Sequence, residues 1–257
     1  MSERIQSVDR VVSILKTFLT SEDAELKLVQ IVEQTGLHKS TVHGLIQTMR
    51  YHGLIDQDET TQKYRLGTAL IGFGEKAKSS LAIVQISRPV MREICDQVEE
   101  TVHLAMLRDT SVIYIEKIES KQSIRMTSAI GLSNPAYCTG VGKVLLSGLP
   151  NQEVPRHLPK VMEQHTAWTI HTVPELLTEL EEIRRNGFGE DRQELEEGLD
   201  CIAFPIFNHE GKVAFAMSIS GPSFRMKSKR ELVTKLLIEG SEEISRKLGY
   251  QAVRRKK

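Results

Sequence analysis

Two groups of residues have the types and the spacing to do chemistry. The first is His38-Lys39-Ser40-Thr41, followed at helical spacing by His43, Gln47 and Arg50. Hydroxyls, amides and imidazoles exchange hydrogen bonds with base edges, while lysine and arginine neutralise phosphates. Lys63 and Arg65, two apart on a short strand, add two cations that point the same way. The second group lies further along the chain. Gly140-Val141-Gly142-Lys143 follows a turn of small residues and opens a helix, whose free N–H groups favour a carboxylate or phosphate. Ser218 and Ser220 share one strand face with Ala216; two hydroxyls on an apolar face need partners if buried, and such a pair can line a polar pocket.

Other chemistries find less support. Gly142-Lys143 is no nucleotide loop, because Tyr137 stands where the first glycine is required and Val144 where Ser or Thr must follow. The run from Gly189 to Gly198 is acidic, but no histidine sits at ligand spacing, so a solvated loop is expected and no metal. Cys201 opens a strand and reads as core. A nucleophile would need a base and an acid beside it. His103, His171 and His209 exist, yet nothing in the sequence brings them together. An enzyme acting on a keto acid, or a thiol redox sensor using Cys138 or Cys201, stays the minority reading. No cofactor is implied.

Composition bounds the rest. The 257 residues hold 34 basic and 34 acidic side chains. Within residues 1–66, eight basic residues meet nine acidic ones, a net single negative charge. Any grip on phosphate must therefore come from a local patch: Lys39, Arg50, Lys63 and Arg65. Cys95, Cys138 and Cys201 form no CxxC pair, and their odd number argues against a disulfide framework. A reduced, cytoplasmic setting is expected, with no membrane partner.

These residues need elements to position them. A first helix is predicted over Ser7–Leu19, with Val8, Val11, Val12, Leu15, Phe18 and Leu19 buried and Ser7 as its cap. Leu28–Arg50 reads as two helices around Gly36, one striped by Leu28, Ile31 and Val32, the other by Val42, Leu45, Ile46 and Met49. Leu54–Gln57 and Lys63–Leu66 form a hairpin around Asp58–Thr61, which makes the unit winged. Thr68–Ser80 is a linker helix weakened by two glycines. Beyond it come a helix over Ile83–Glu99 containing Pro89, strands over Thr101–Leu107 and Ser111–Ile118, and a candidate strand over Ile124–Ala129. Then follow helices from Val141 and Pro174, a hairpin joining Ile202–Phe207 to Lys212–Ser220, and a closing helix over Arg230–Leu248. The class is α+β.

These pieces, in this order, resemble the IclR family of bacterial transcriptional regulators. The marks are Gly36-Leu37-His38-Lys39-Ser40-Thr41-Val42, Lys63-Tyr64-Arg65-Leu66-Gly67, Arg125-Met126 with Gly131, Asn134-Pro135-Ala136-Tyr137-Cys138-Thr139 and Gly142-Lys143, Gly187-Phe188-Gly189-Glu190-Asp191, Glu196-Glu197-Gly198 before Cys201-Ile202-Ala203, and Ser218-Ile219-Ser220-Gly221-Pro222. The resemblance implies a winged helix-turn-helix over residues 1–66, a linker helix over 67–80 and a GAF-like effector-binding domain over 81–253. It implies homodimers or tetramers on palindromic double-stranded operators. Carried over by position, the effector site comprises Met126, Gly140, Val141, Asp191, Cys201, Ser218 and Ser220. Arg125-Met126, Asn134-Pro135 with Tyr137, and Gly189-Glu190-Asp191 are most similar to the regulators of pectin and hexuronate breakdown, whose effector is 2-keto-3-deoxygluconate. Lys39, Arg50, Lys63 and Arg65 would meet phosphates, and Ser40, Thr41, His43 and Gln47 the bases. One departure stands out: where the family carries an aromatic residue and an arginine, this chain has His43-Gly44.

Overall fold

The apolar stripes of the N-terminal segment close on one another. In the computed structural model, which describes residues 5–21, 23–124 and 130–251, α1 (Gln6–Thr20), α2 (Leu28–Thr35) and α3 (Lys39–Tyr51) enclose Ile14, Phe18, Ile31, Val42, Ile46 and Met49. Gly36 ends α2 at φ 66°, the left-handed conformation a glycine adopts without strain. β1 (Ile55–Gln57) and β2 (Tyr64–Leu66) pair antiparallel. Their turn is held by Asp58, whose carboxylate accepts the Thr60 and Thr61 N–H groups at 3.0 and 2.6 Å. α4 (Ala69–Ser79) follows.

Three local expectations change. α1 starts at Gln6 and its cap position is Ile5, not Ser7. Val8, Val12 and Leu19 are 56, 43 and 41% exposed. The helix buries only the stripe that meets α2 and α3, and these three side chains lie outside that stripe. Lys63 precedes β2, because strand pairing begins at Tyr64.

The chain divides into two units, residues 1–80 and 81–257. The second is built on an antiparallel sheet of order β5-β4-β3-β8-β7-β6. Its strands are β3 (Thr101–Arg108), β4 (Ser111–Ile118), β5 (Ser133–Pro135), β6 (Gly189–Arg192), β7 (Leu199–Phe207) and β8 (Val213–Pro222). The helices are α5 (Ala82–Val98), α6 (Gly140–Ser147), α7 (Val173–Asn186) and α8 (Ser223–Lys247). Alternation along each strand sorts the two faces. Val102, Leu104, Ile202, Phe204, Met217 and Ile219 pack with Met91 and Ile94 of α5 and Val233 and Leu237 of α8. Ala105, Val112, Tyr114, Ala203 and Ala216 pack with Val144 and Leu145 of α6 and Leu176 and Leu180 of α7.

The acidic run from Gly189 is a loop only in its second half, residues 193–198, where Glu196 and Glu197 are exposed as expected. Its first four residues form the edge strand β6, paired with β7 from Gly189–Ala203 to Arg192–Asp200. Glu190 pairs with Arg192 and Arg230, while Asp191 and Glu194 are buried. α8 begins at Ser223, ahead of the expected Arg230. The candidate strand over Ile124–Ala129 falls, past Ile124, outside the described residues. Among the described residues no helix is long and apolar enough to cross a membrane, and no three His, Cys, Asp or Glu side chains are placed to hold a metal ion.

Candidate functional site

In the first unit, burying Val42, Ile46 and Met49 turns the opposite side of α3 outward. Lys39, Ser40, His43, Gln47 and Arg50 are exposed there, and Thr41 is half-buried. Gln47 lies 3.5 Å from the His43 ring nitrogen and accepts from Arg50 at 3.4 Å, so the three side chains order one another along the helix. Arg65 is exposed but paired with Glu25 at 3.4 Å, and Lys63 is half-buried. Thr48 and Tyr51 are exposed on α3 as well. The sequence reading missed both; Tyr51 lies one turn beyond Gln47, a spacing that could have found it.

In the second unit, the polar residues meet where α6 runs onto the sheet. Thr139 caps α6, its hydroxyl accepting the Gly142 N–H at 3.2 Å. The first turn's remaining amides, those of Gly140 and Val141, are the ones a ligand can take. A Cβ on Gly142 would stand 2.2 Å from the Ala136 carbonyl oxygen, so only glycine fits this turn. A Cβ on Gly140 would lie 3.1 Å from the Cys201 sulfur and 3.3 Å from the Asp191 nitrogen. The helix start therefore rests on β6 and β7. Cross-strand register does the rest: Asp191 faces Cys201, Cys201 faces Ser220, and Ala203 faces Ser218. Cys201, Ser218 and Ser220 therefore lie together on one face.

Six of the seven predicted effector residues thus converge: Gly140, Val141, Asp191, Cys201, Ser218 and Ser220. The seventh, Met126, lies outside the described residues. All six are buried, and a cavity of about 30 Å³ reaches Asp191 and Cys201 from the α8 side.

Burial sets the electrostatics. It pushes the Asp191 carboxyl up to about 7 even though the Glu194 amide donates to it at 2.7 Å. Next to it Lys143, fully buried, pairs with Glu194 and, at 3.1 Å, with Glu179. A buried lysine is costly unless paired in this way; the sequence reading placed Lys143 at a helix start and among the family marks, without foreseeing a buried ion pair. Burial also raises the thiols of Cys95, Cys138 and Cys201, the last to about 12. Thiols held protonated are poor nucleophiles and poor redox sensors. His171 and His209 stand exposed in loops, and His103, on β3 across from Ser218, is a poor general base because burial drives its imidazole down to about 3.

A winged helix-turn-helix joined to a separate α+β unit with a buried polar site has the build of a two-part transcriptional regulator. Residues 7–59 match the IclR helix-turn-helix domain, and residues 75–246 match the C-terminal domain of the bacterial transcriptional regulator IclR. The chain belongs to the IclR family of DNA-binding transcriptional regulators, and is not an enzyme. It is 37% identical to the transcriptional regulator KdgR of Dickeya chrysanthemi, over 94% of this chain and 81% of that protein. KdgR of Escherichia coli is 36% identical over 94% of each. The crystal structure of Thermotoga maritima IclR superposes with a TM-score of 0.76 at 30% identity, covering 96% of this chain and all of that one. An IclR homologue from Microbacterium hydrocarbonoxydans, solved with 4-hydroxybenzoate, shares the fold: TM-score 0.79 at 24% identity, over 95 and 99% of the two chains.

Proposed function

We propose that this protein is a cytoplasmic repressor whose hold on a palindromic operator is controlled by a small organic acid, with 2-keto-3-deoxygluconate the leading candidate. One observation carries the reading: residues from four separate stretches of sequence meet in one buried polar site at the start of α6. The α6 amides suit a carboxylate, and the Ser218 and Ser220 hydroxyls suit the remainder of an oxygen-rich acid. The likeness to the KdgR proteins supports the choice of a sugar-derived keto acid.

On DNA, Lys39, Arg50, Lys63 and Arg65 meet phosphates, and Ser40, Thr41, His43 and Gln47 meet base edges in the major groove. Arg65 contributes least, because Glu25 already shares its charge. The protein acts as a homodimer or tetramer on half-sites about one helical turn, or a multiple of it, apart. The effector shifts the balance between arrangements of different spacing by its differential affinity for them, typically ~1–3 kcal/mol. Since the site residues are buried, an acid reaches them only when the walls separate, and such a step can distinguish the two arrangements.

A thermal-shift screen of small organic acids tests this reading. A sugar-derived keto acid at 100 times its Kd should stabilise the native state by about 2.7 kcal/mol. The Ser218→Ala, Ser220→Ala double variant should lose most of that shift. An equal shift in the variant would move the site elsewhere.

A further inference from the structure

The sheet face that carries the two serines continues beyond β8. His103 lies directly across from Ser218, and Ala105 lies across from both Ala216 and Tyr114. His103 is fully buried, with its ring centroid 4.8 Å from that of Tyr114. Tyr114 is buried, and two residues away on the same face Val112 of β4 pairs with Asn134 of β5. Strands β7, β8, β3, β4 and β5 therefore place Cys201, Ser218, Ser220, His103, Tyr114 and Asn134 on one face, among the small apolar side chains of Ala203, Ala216, Ala105 and Val112. Neighbouring strands are ~4.8 Å apart, so this face spans roughly 14 Å from β7 to β4, far more than a carboxylate needs.

We propose that His103, Tyr114 and Asn134 extend the acid site into a strip that reads the hydroxyls of a polyhydroxylated acid. This rests on the acid-effector reading above and names what lies beyond the carboxylate. These three side chains are uncharged, and Lys117, the cation across from His103, is already paired with Glu119 at 3.1 Å. Burial drives the His103 imidazole down to about 3, helped by Lys117, its cross-strand neighbour on β4, and opposed by Glu119. Burial likewise keeps Tyr114 protonated. Neutral donors and acceptors match alcohols. A second carboxylate would ask for a cation, and an aromatic ring for an apolar wall. A site built to bond a hydroxyl also rejects analogues that lack it, because its own buried polar groups are then left unpaired.

Isothermal titration of the full-length protein tests the strip with three probes: 2-keto-3-deoxygluconate, pyruvate and 4-hydroxybenzoate. The sugar acid should bind at least about tenfold tighter than pyruvate, which shares its keto acid group and lacks its hydroxyls. Tyr114→Phe should lose about tenfold for the sugar acid and leave pyruvate within about twofold. Asn134→Ala gives the same comparison if Tyr114→Phe unfolds, with thermal melting as the check on both. Equal losses for both keto acids, no loss, or tighter binding of 4-hydroxybenzoate would overturn the strip while leaving an acid effector standing. If no acid binds the wild-type protein, the acid-effector reading fails and the strip with it.

Discussion

Asp191 holds a proton that its unfolded counterpart releases. Burial lifts its carboxyl from 3.8 to about 7. Between those values the native state binds more protons than the unfolded state, so this residue's contribution to stability falls as pH rises and levels off above about 7. Asp191→Asn keeps an oxygen for the Glu194 amide and removes the titration. The difference in urea midpoint between wild type and variant should therefore change through that window; parallel profiles would contradict the burial argument. Lys39 is a simpler case, an exposed cation on the first turn of α3. Lys39→Ala should weaken operator binding across sequences and reduce the slope of log affinity against log salt by roughly one, read by fluorescence anisotropy. An unchanged slope would take Lys39 off the phosphates.

Among the elements, α3 carries an oddity at its centre. Gly44 is exposed and a Cβ there would meet nothing within 4 Å, so no close approach demands glycine. Gly44→Ala should stabilise the first unit by about 1 kcal/mol, visible in thermal or urea denaturation. A destabilised variant would show that the glycine answers a constraint not apparent in the fold. β6 teaches a different lesson about elements. Gly-Glu-Asp-Arg has poor strand propensity and an acidic texture, so sequence alone favours a loop. Pairing with β7 and the cations Arg192 and Arg230 around Glu190 make it a strand.

The molecule as a whole leaves apolar surface uncovered. Ile5, Val8, Val12 and Leu19 of the α1 segment, and Ile71 and Phe73 of α4, are exposed, as are Val29, Tyr51 and Leu66 elsewhere in the first unit. Clustered apolar exposure on a regulator suits contact with a second copy. The double variant Val8→Glu, Val12→Glu should shift the protein toward monomers in analytical ultracentrifugation and weaken binding to a two-half-site operator more than to a single half-site. Retention of the wild-type assembly would place the contact on another surface.

Local signals in the sequence determined a good deal of this. Three-and-four spacing located α2 and α3, Gly36 marked the turn, and two-residue alternation put Ser218, Ser220 and Ala216 on one strand face. Such patterns are legible because they depend on residues within a few positions of one another. Tertiary structure decided what those faces meet. His103 faces Ser218, Cys201 faces Asp191, and Asn134 faces Val112 only because the strand order β5-β4-β3-β8-β7-β6 joins distant stretches of chain. Which side of α1 is buried, and that Lys143 lies inside, were settled the same way. Cross-strand register and helix docking arise from core packing across the whole unit, and no short window of sequence contains them.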